Sequence, residues 1–101
     1  MKVLLCEDDH CLRLVQKELL TAESHEVFES TNGSDALTAA QKILPDLIIL
    51  DVMMPILDGF KVCSIIRRKP RLFGNPLIMM LTSRKDIEDI KKGFLGGADE
   101  Y

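Results

Sequence analysis

Two stretches of the chain, Leu47-Ile48-Ile49-Leu50 and Leu77-Ile78-Met79-Met80-Leu81, are unbroken aliphatic runs of strand length. A run with no polar residue at alternate positions has no face to offer to water. Each therefore reads as a strand covered on both sides, as in a parallel sheet. Val3 to Cys6 is a third short run, closed by Glu7, Asp8 and Asp9, and His25 to Ser30 is a weaker strand around Val27 and Phe28. Between these runs the apolar spacing changes to three and four. Leu12, Val15 and Leu19 mark a helix over residues 10–22. Ala36, Leu37, Ala40, Ile43 and Leu44 mark a second helix, entered through Thr31-Asn32-Gly33-Ser34 and stopped by Pro45-Asp46. Phe60, Val62, Cys63 and Ile66 mark a third, and Pro70 to Pro76 reads as a loop. Ile87, Ile90 and Phe94 mark a fourth helix over residues 86–95, capped by Gly96-Gly97. Regular alternation of strand and helix implies an open parallel α/β sheet with right-handed crossovers. In such sheets ligands collect at the carboxyl ends of the strands.

With 101 residues the chain makes one domain over residues 1–101. A net charge of -3 argues against a domain that itself grips nucleic acid. No apolar run approaches the roughly 18 residues that cross a bilayer, so no membrane role is expected. The first strand meets acid at Glu7, too early for a secretory signal. Cys6, Cys11 and Cys63 form no close pair, so they read as small apolar residues in a reducing, cytoplasmic setting. Arg67-Arg68-Lys69 reads as a solvated helix end, its charges favourably placed on the helix dipole.

The strand ends carry the chemistry. The first strand runs into Glu7-Asp8-Asp9, the third ends in Asp51 and the fourth leads to Thr82-Ser83. If these strands are neighbours, three or more carboxylates and a hydroxyl converge. Crowded carboxylates repel one another unless a cation lies among them, and oxygen ligands select a hard ion, Mg²⁺ or Mn²⁺. Such an ion leaves coordination sites for phosphate oxygens. An aspartate beside it can attack phosphorus and form an aspartyl-phosphate, and Asp51, at the tip of the most buried run, is the best nucleophile by position.

These segments, with Pro45 to Gly59 and Gly96 to Tyr101, resemble the response-regulator receiver domain of two-component signalling in order and spacing along the whole chain. The resemblance implies a flavodoxin-like sheet of order 2-1-3-4 with helices on both faces. It implies phospho-acceptance at Asp51 from the phosphohistidine of a histidine kinase or phosphotransfer protein, rather than enzymatic turnover. It places Mg²⁺ on Asp8 and Asp9, with Asp9 as direct ligand, together with Asp51 and the Met53 carbonyl. Thr82 is similar to the hydroxyl that bonds a phosphoryl oxygen, and Tyr101 to the aromatic switch. The Met53 and Arg84 side chains fall at positions that govern water access.

The family pattern runs on past the tyrosine into a last strand, a lysine-proline pair and a fifth helix, so the sheet is expected to lack that edge strand. Bare backbone along residues 77–81 would then invite a homodimer, and the sheet face beside the first helix would lie open. Two competing readings remain. One is a degenerate receiver that binds partners without phosphorylation. The other is an aspartate-nucleophile phosphatase, disfavoured because Met53 stands where such enzymes carry a second acid.

Overall fold

A computed structural model describes residues 1–52, 54, 56–81 and 97–99. Four parallel strands, β1 (Lys2–Cys6), β2 (Glu26–Ser30), β3 (Leu47–Asp51) and β4 (Leu77–Leu81), form one sheet in the order β2-β1-β3-β4. The register sets Leu4, Ile48 and Ile78 in one row, and Cys6, Leu50 and Met80 in another. Side chains alternate between faces with period two, so these six share a face.

Onto that face pack α2 (Gly33–Ile43) and α3 (Gly59–Arg68). Ala36 and Ala40 let α2 approach closely, while Phe60, Val62, Cys63 and Ile66 of α3 complete a dry core. The opposite face holds a smaller cluster, Val3, Leu5 and Ile49, with Leu20 of α1 (His10–Ala22) against it. The expected open face is therefore not open at the sheet: Val3, Leu5 and Ile49 are buried. The exposed apolar surface belongs to α1 instead. It buries no residue fully, and Leu12, Val15 and Leu19 are 47%, 53% and 65% exposed.

The residues expected to form a plain loop after α3 include a short helix, α4 (Pro70–Phe73). Pro70 occupies its first turn, where a missing N–H costs nothing, and Phe73 is anchored in the core. The outer edge of β4 also differs from expectation. Ile78 is not bare: its carbonyl accepts from the Asp99 amide at 2.9 Å, and its amide donates to the Asp99 carboxylate at 2.9 Å. The helix expected over residues 86–95 and its Gly96 cap lie outside the described residues.

Each helix start near the carboxyl ends of the strands is capped by a side chain. Asp9 accepts from the Leu12 amide at 3.0 Å, Asn32 from Asp35 at 2.8 Å and Asp58 from Lys61 at 2.9 Å. Glycine is needed where these loops crowd together. A Cβ on Gly33 would stand 2.3 Å from the Leu57 carbonyl oxygen, and one on Gly59 would stand 2.6 Å from that of Asp51.

Candidate functional site

β1 and β3 are adjacent, so the residues that leave their carboxyl ends meet. Glu7 continues the β1 ladder by one residue, its amide donating to the Ser30 carbonyl at 3.0 Å. That pairing keeps the backbone extended and turns the Glu7 side chain inward, where it is only 3% exposed. Asp51 is the last residue of β3 and is half-buried, while Asp8 is exposed. One carboxylate oxygen from each of Glu7, Asp8 and Asp51 lies within 4.8 Å of the others.

The electrostatics follow from that crowding. Burial pushes the Glu7 carboxyl up to about 7, and its hydrogen bond to the Asp51 side chain pushes the same way. The Asp9 amide, donating to Glu7 Oε2 at 3.2 Å, opposes the rise without cancelling it. Arg13 reaches the Glu7 main-chain carbonyl at 2.9 Å and pairs with Glu29 at 3.4 Å, which ties the start of α1 to β2. The site is a set of hard oxygen donors, with the Glu7 carboxyl held above the usual carboxylate range. That composition fits a divalent cation such as Mg²⁺, which would relieve the repulsion.

Asp9 departs from expectation. The sequence places it in the metal-binding pair as direct ligand, but its carboxylate caps α1 through the Leu12 amide. The three-carboxylate group contains Glu7 in its place. The signal was present: an Asp immediately before a helical apolar pattern is a strong N-cap. The sequence places Glu7 among the acids at the end of the first strand but assigns it no ligand role; the structure sets it in the group with Asp8 and Asp51. Met53, Thr82, Arg84 and Tyr101 lie outside the described residues.

The loop after Asp51 is held at both ends. The Val52 amide donates to the Leu81 carbonyl at 3.2 Å and the Gly59 amide to the Val52 carbonyl at 3.1 Å. Met54 is buried in the core, while Ile56 is 76% exposed with a φ of 72°. A left-handed backbone is unfavourable for a β-branched residue.

This sheet order, with acids gathered at the ends of its two central strands, defines a class of signalling domain. Residues 3–101 match the response regulator receiver domain, and the chain belongs to that family. It is 43% identical over 99 residues to the transcriptional regulatory protein AfsQ1 of Streptomyces coelicolor, covering 98% of this chain and 42% of that protein. It is 35% identical over 100 residues to the DNA-binding response regulator MtrA of Mycolicibacterium smegmatis, covering 99% of this chain and 42% of that protein. The chain thus spans less than half the length of these relatives. Among solved structures, a putative response regulator from Chloroflexus aurantiacus superposes with a TM-score of 0.91 at 34% identity, covering 99% of this chain and 81% of that one. The chemotaxis protein CheY4 of Vibrio cholerae superposes at 0.90 with 32% identity, covering 98% of this chain and 82% of that one. Receivers of this family are phospho-acceptors of two-component signalling. They bind Mg²⁺ through acidic residues and interact with histidine kinases or phosphotransfer proteins. Among the described residues no helix is long and apolar enough to cross a membrane.

Proposed function

We propose that this chain accepts phosphate on Asp51 from a phosphohistidine on a histidine kinase or phosphotransfer protein, in a cytoplasmic two-component pathway. The observation that carries the reading is the convergence of Glu7, Asp8 and Asp51 at the carboxyl ends of adjacent strands, in a chain of this family. Glu7, Asp8 and Asp51 would hold Mg²⁺ or Mn²⁺, with the Met53 carbonyl completing the protein's share. The direct-ligand role thus passes from Asp9 to Asp8 with Glu7.

The roles follow from burial and position. Glu7 is the buried anchor, and as a carboxylate it would supply one oxygen ligand to the cation. Asp8 is exposed, so the site is open to solvent on its side. Asp51 is presented by the tip of β3, where its carbonyl lies so close to Gly59 that a Cβ there would not fit. The bound cation supplies neutralisation of charge on the phosphoryl oxygens and the acids. An Asp51 carboxylate oxygen forms a bond to phosphorus as the donor's N–P bond breaks. The electron pair leaves with the imidazole, which is then protonated. Thr82 would bond a phosphoryl oxygen, Tyr101 would respond to its shift, and the Met53 and Arg84 side chains would govern water access.

Incubation with Mg²⁺ and acetyl phosphate, followed by intact mass, tests the reading. A gain of one phosphate by the wild type and none by Asp51→Asn is expected. No gain by the wild type would favour a degenerate receiver that binds partners without phosphorylation.

A further inference from the structure

Arg67 lies at the last turn of α3, in the basic run that reads as a solvated helix end. The structure contradicts that reading for this residue, whose side chain is 21% exposed. Its guanidinium serves two separate stretches of chain, Asn75–Pro76 and Gly97–Asp99. Nε donates to the Gly97 carbonyl at 2.8 Å. Nη1 donates to Asn75 Oδ1 at 3.1 Å and to the Pro76 carbonyl at 2.7 Å. Nη2 donates to the Asp99 carboxylate, which also accepts from the Ile78 amide.

The arrangement is specific to arginine. Its planar fork carries five N–H donors in fixed directions, whereas a lysine presents one mobile point charge. The partner segment is shaped to match. Gly97 has a φ of 103°, and a Cβ there would stand 2.4 Å from Arg67 Cγ. Ala98 is buried in the main core. The Asp99 amide then closes on the Ile78 carbonyl, so both backbone groups of Ile78 are bound to one residue. Gly97–Asp99 is thereby locked against β4 in one register, and α3 holds the lock.

Tyr101 follows Asp99 by two residues, and β4 runs on from Ile78 to Leu81, level with Asp51 in the sheet. We propose that Arg67 is a positioning residue: it fixes the register of Gly97–Asp99 on β4, so that a change at the Asp51 end of β4 reaches Tyr101. The second half of this inference rests on the phospho-acceptor reading above, and the first half does not.

The chain has one tyrosine and no tryptophan, so its intrinsic fluorescence reports Tyr101 alone. The test compares wild type, Arg67→Gln and Arg67→Lys by three readouts. These are phosphate uptake from acetyl phosphate with Mg²⁺, the tyrosine fluorescence change on adding beryllofluoride with Mg²⁺, and amide exchange at Ile78 without either. Expected for Arg67→Gln is a phosphate uptake rate like the wild type's, loss of the fluorescence change and faster exchange at Ile78. Arg67→Lys, which keeps the charge but not the fork, is expected to lose the fluorescence change too. A variant that keeps the full change, or loses phosphate uptake in step with it, would overturn the proposal. So would a wild type that takes phosphate without any tyrosine change. If the wild type takes no phosphate, the phospho-acceptor reading fails and the coupling with it. Exchange at Ile78 then decides the register role alone: faster exchange in the variants upholds it, and unchanged exchange overturns it.

Discussion

The two ends of the sheet use their acids in opposite ways. At the amino end, acids satisfy donors. The Asp46 carboxylate accepts from the Lys2 amide at 2.8 Å, its own amide donates to the Lys2 carbonyl at 2.9 Å, and its carbonyl accepts from Leu77 at 3.0 Å. Asp99 does the same for Ile78 and Arg67. At the carboxyl end, Glu7, Asp8 and Asp51 crowd together, and the buried Glu7 holds a proton up to about pH 7. An acid that accepts from N–H groups stabilises the fold. Acids that mainly face one another cost stability until a cation arrives. The difference separates scaffold from site, since functional centres are where stability is given up.

The largest effect is expected in a pH series without divalent cations. The folded Glu7 carboxyl lies near 7 and its ordinary value is 4.5. Between these values the folded chain binds more protons than the unfolded one, so stability falls as pH rises through that window. The slope is at most about 1.4 kcal/mol per pH unit. Glu7→Gln should flatten it, and at about pH 8 the variant should be the more stable of the two in urea titrations. An unchanged slope in Glu7→Gln would break the contrast.

Asp99→Ala should move stability the other way, by about 2 kcal/mol, because it strands the Ile78 amide and uncovers Arg67. Thermal unfolding at neutral pH reads it. Asp46→Ala should destabilise by only about 0.5–1 kcal/mol, since Asp46 is exposed and water can replace it. A gain in stability from either substitution would erase the distinction between the ends.

Most of the scaffold was legible in the chain because its signals were local. The continuous apolar runs became β3 and β4 at their expected residues, and residues 10–22 became α1. Strand order is not local, but alternation with short crossovers leaves few choices, and the family pattern selected the one observed. The errors arose where a role depends on a three-dimensional neighbour. Leu12, Val15 and Leu19 mark the helix correctly by their spacing, but spacing does not say what lies opposite them, and here they are exposed. Arg67 looked like its solvated neighbours Arg68 and Lys69, because Gly97 and Asp99 are about thirty residues away. Within the acid run Glu7-Asp8-Asp9, one polar residue looks as good a ligand as the next. Only the extra β1–β2 pairing at Glu7 and the cap at Asp9 decide which of them face Asp51.

Whether Glu7 and Asp8, and not Asp9, serve the cation site can be read by Mg²⁺ titration calorimetry. Wild type, Glu7→Gln, Asp8→Asn and Asp9→Asn would be compared at one pH. Asparagine caps a helix about as well as aspartate, so Asp9→Asn should leave α1 intact. Glu7→Gln and Asp8→Asn should weaken Mg²⁺ binding by about tenfold or more, while Asp9→Asn should change it by less than about threefold. Loss of binding in Asp9→Asn with retention in Asp8→Asn would contradict that assignment.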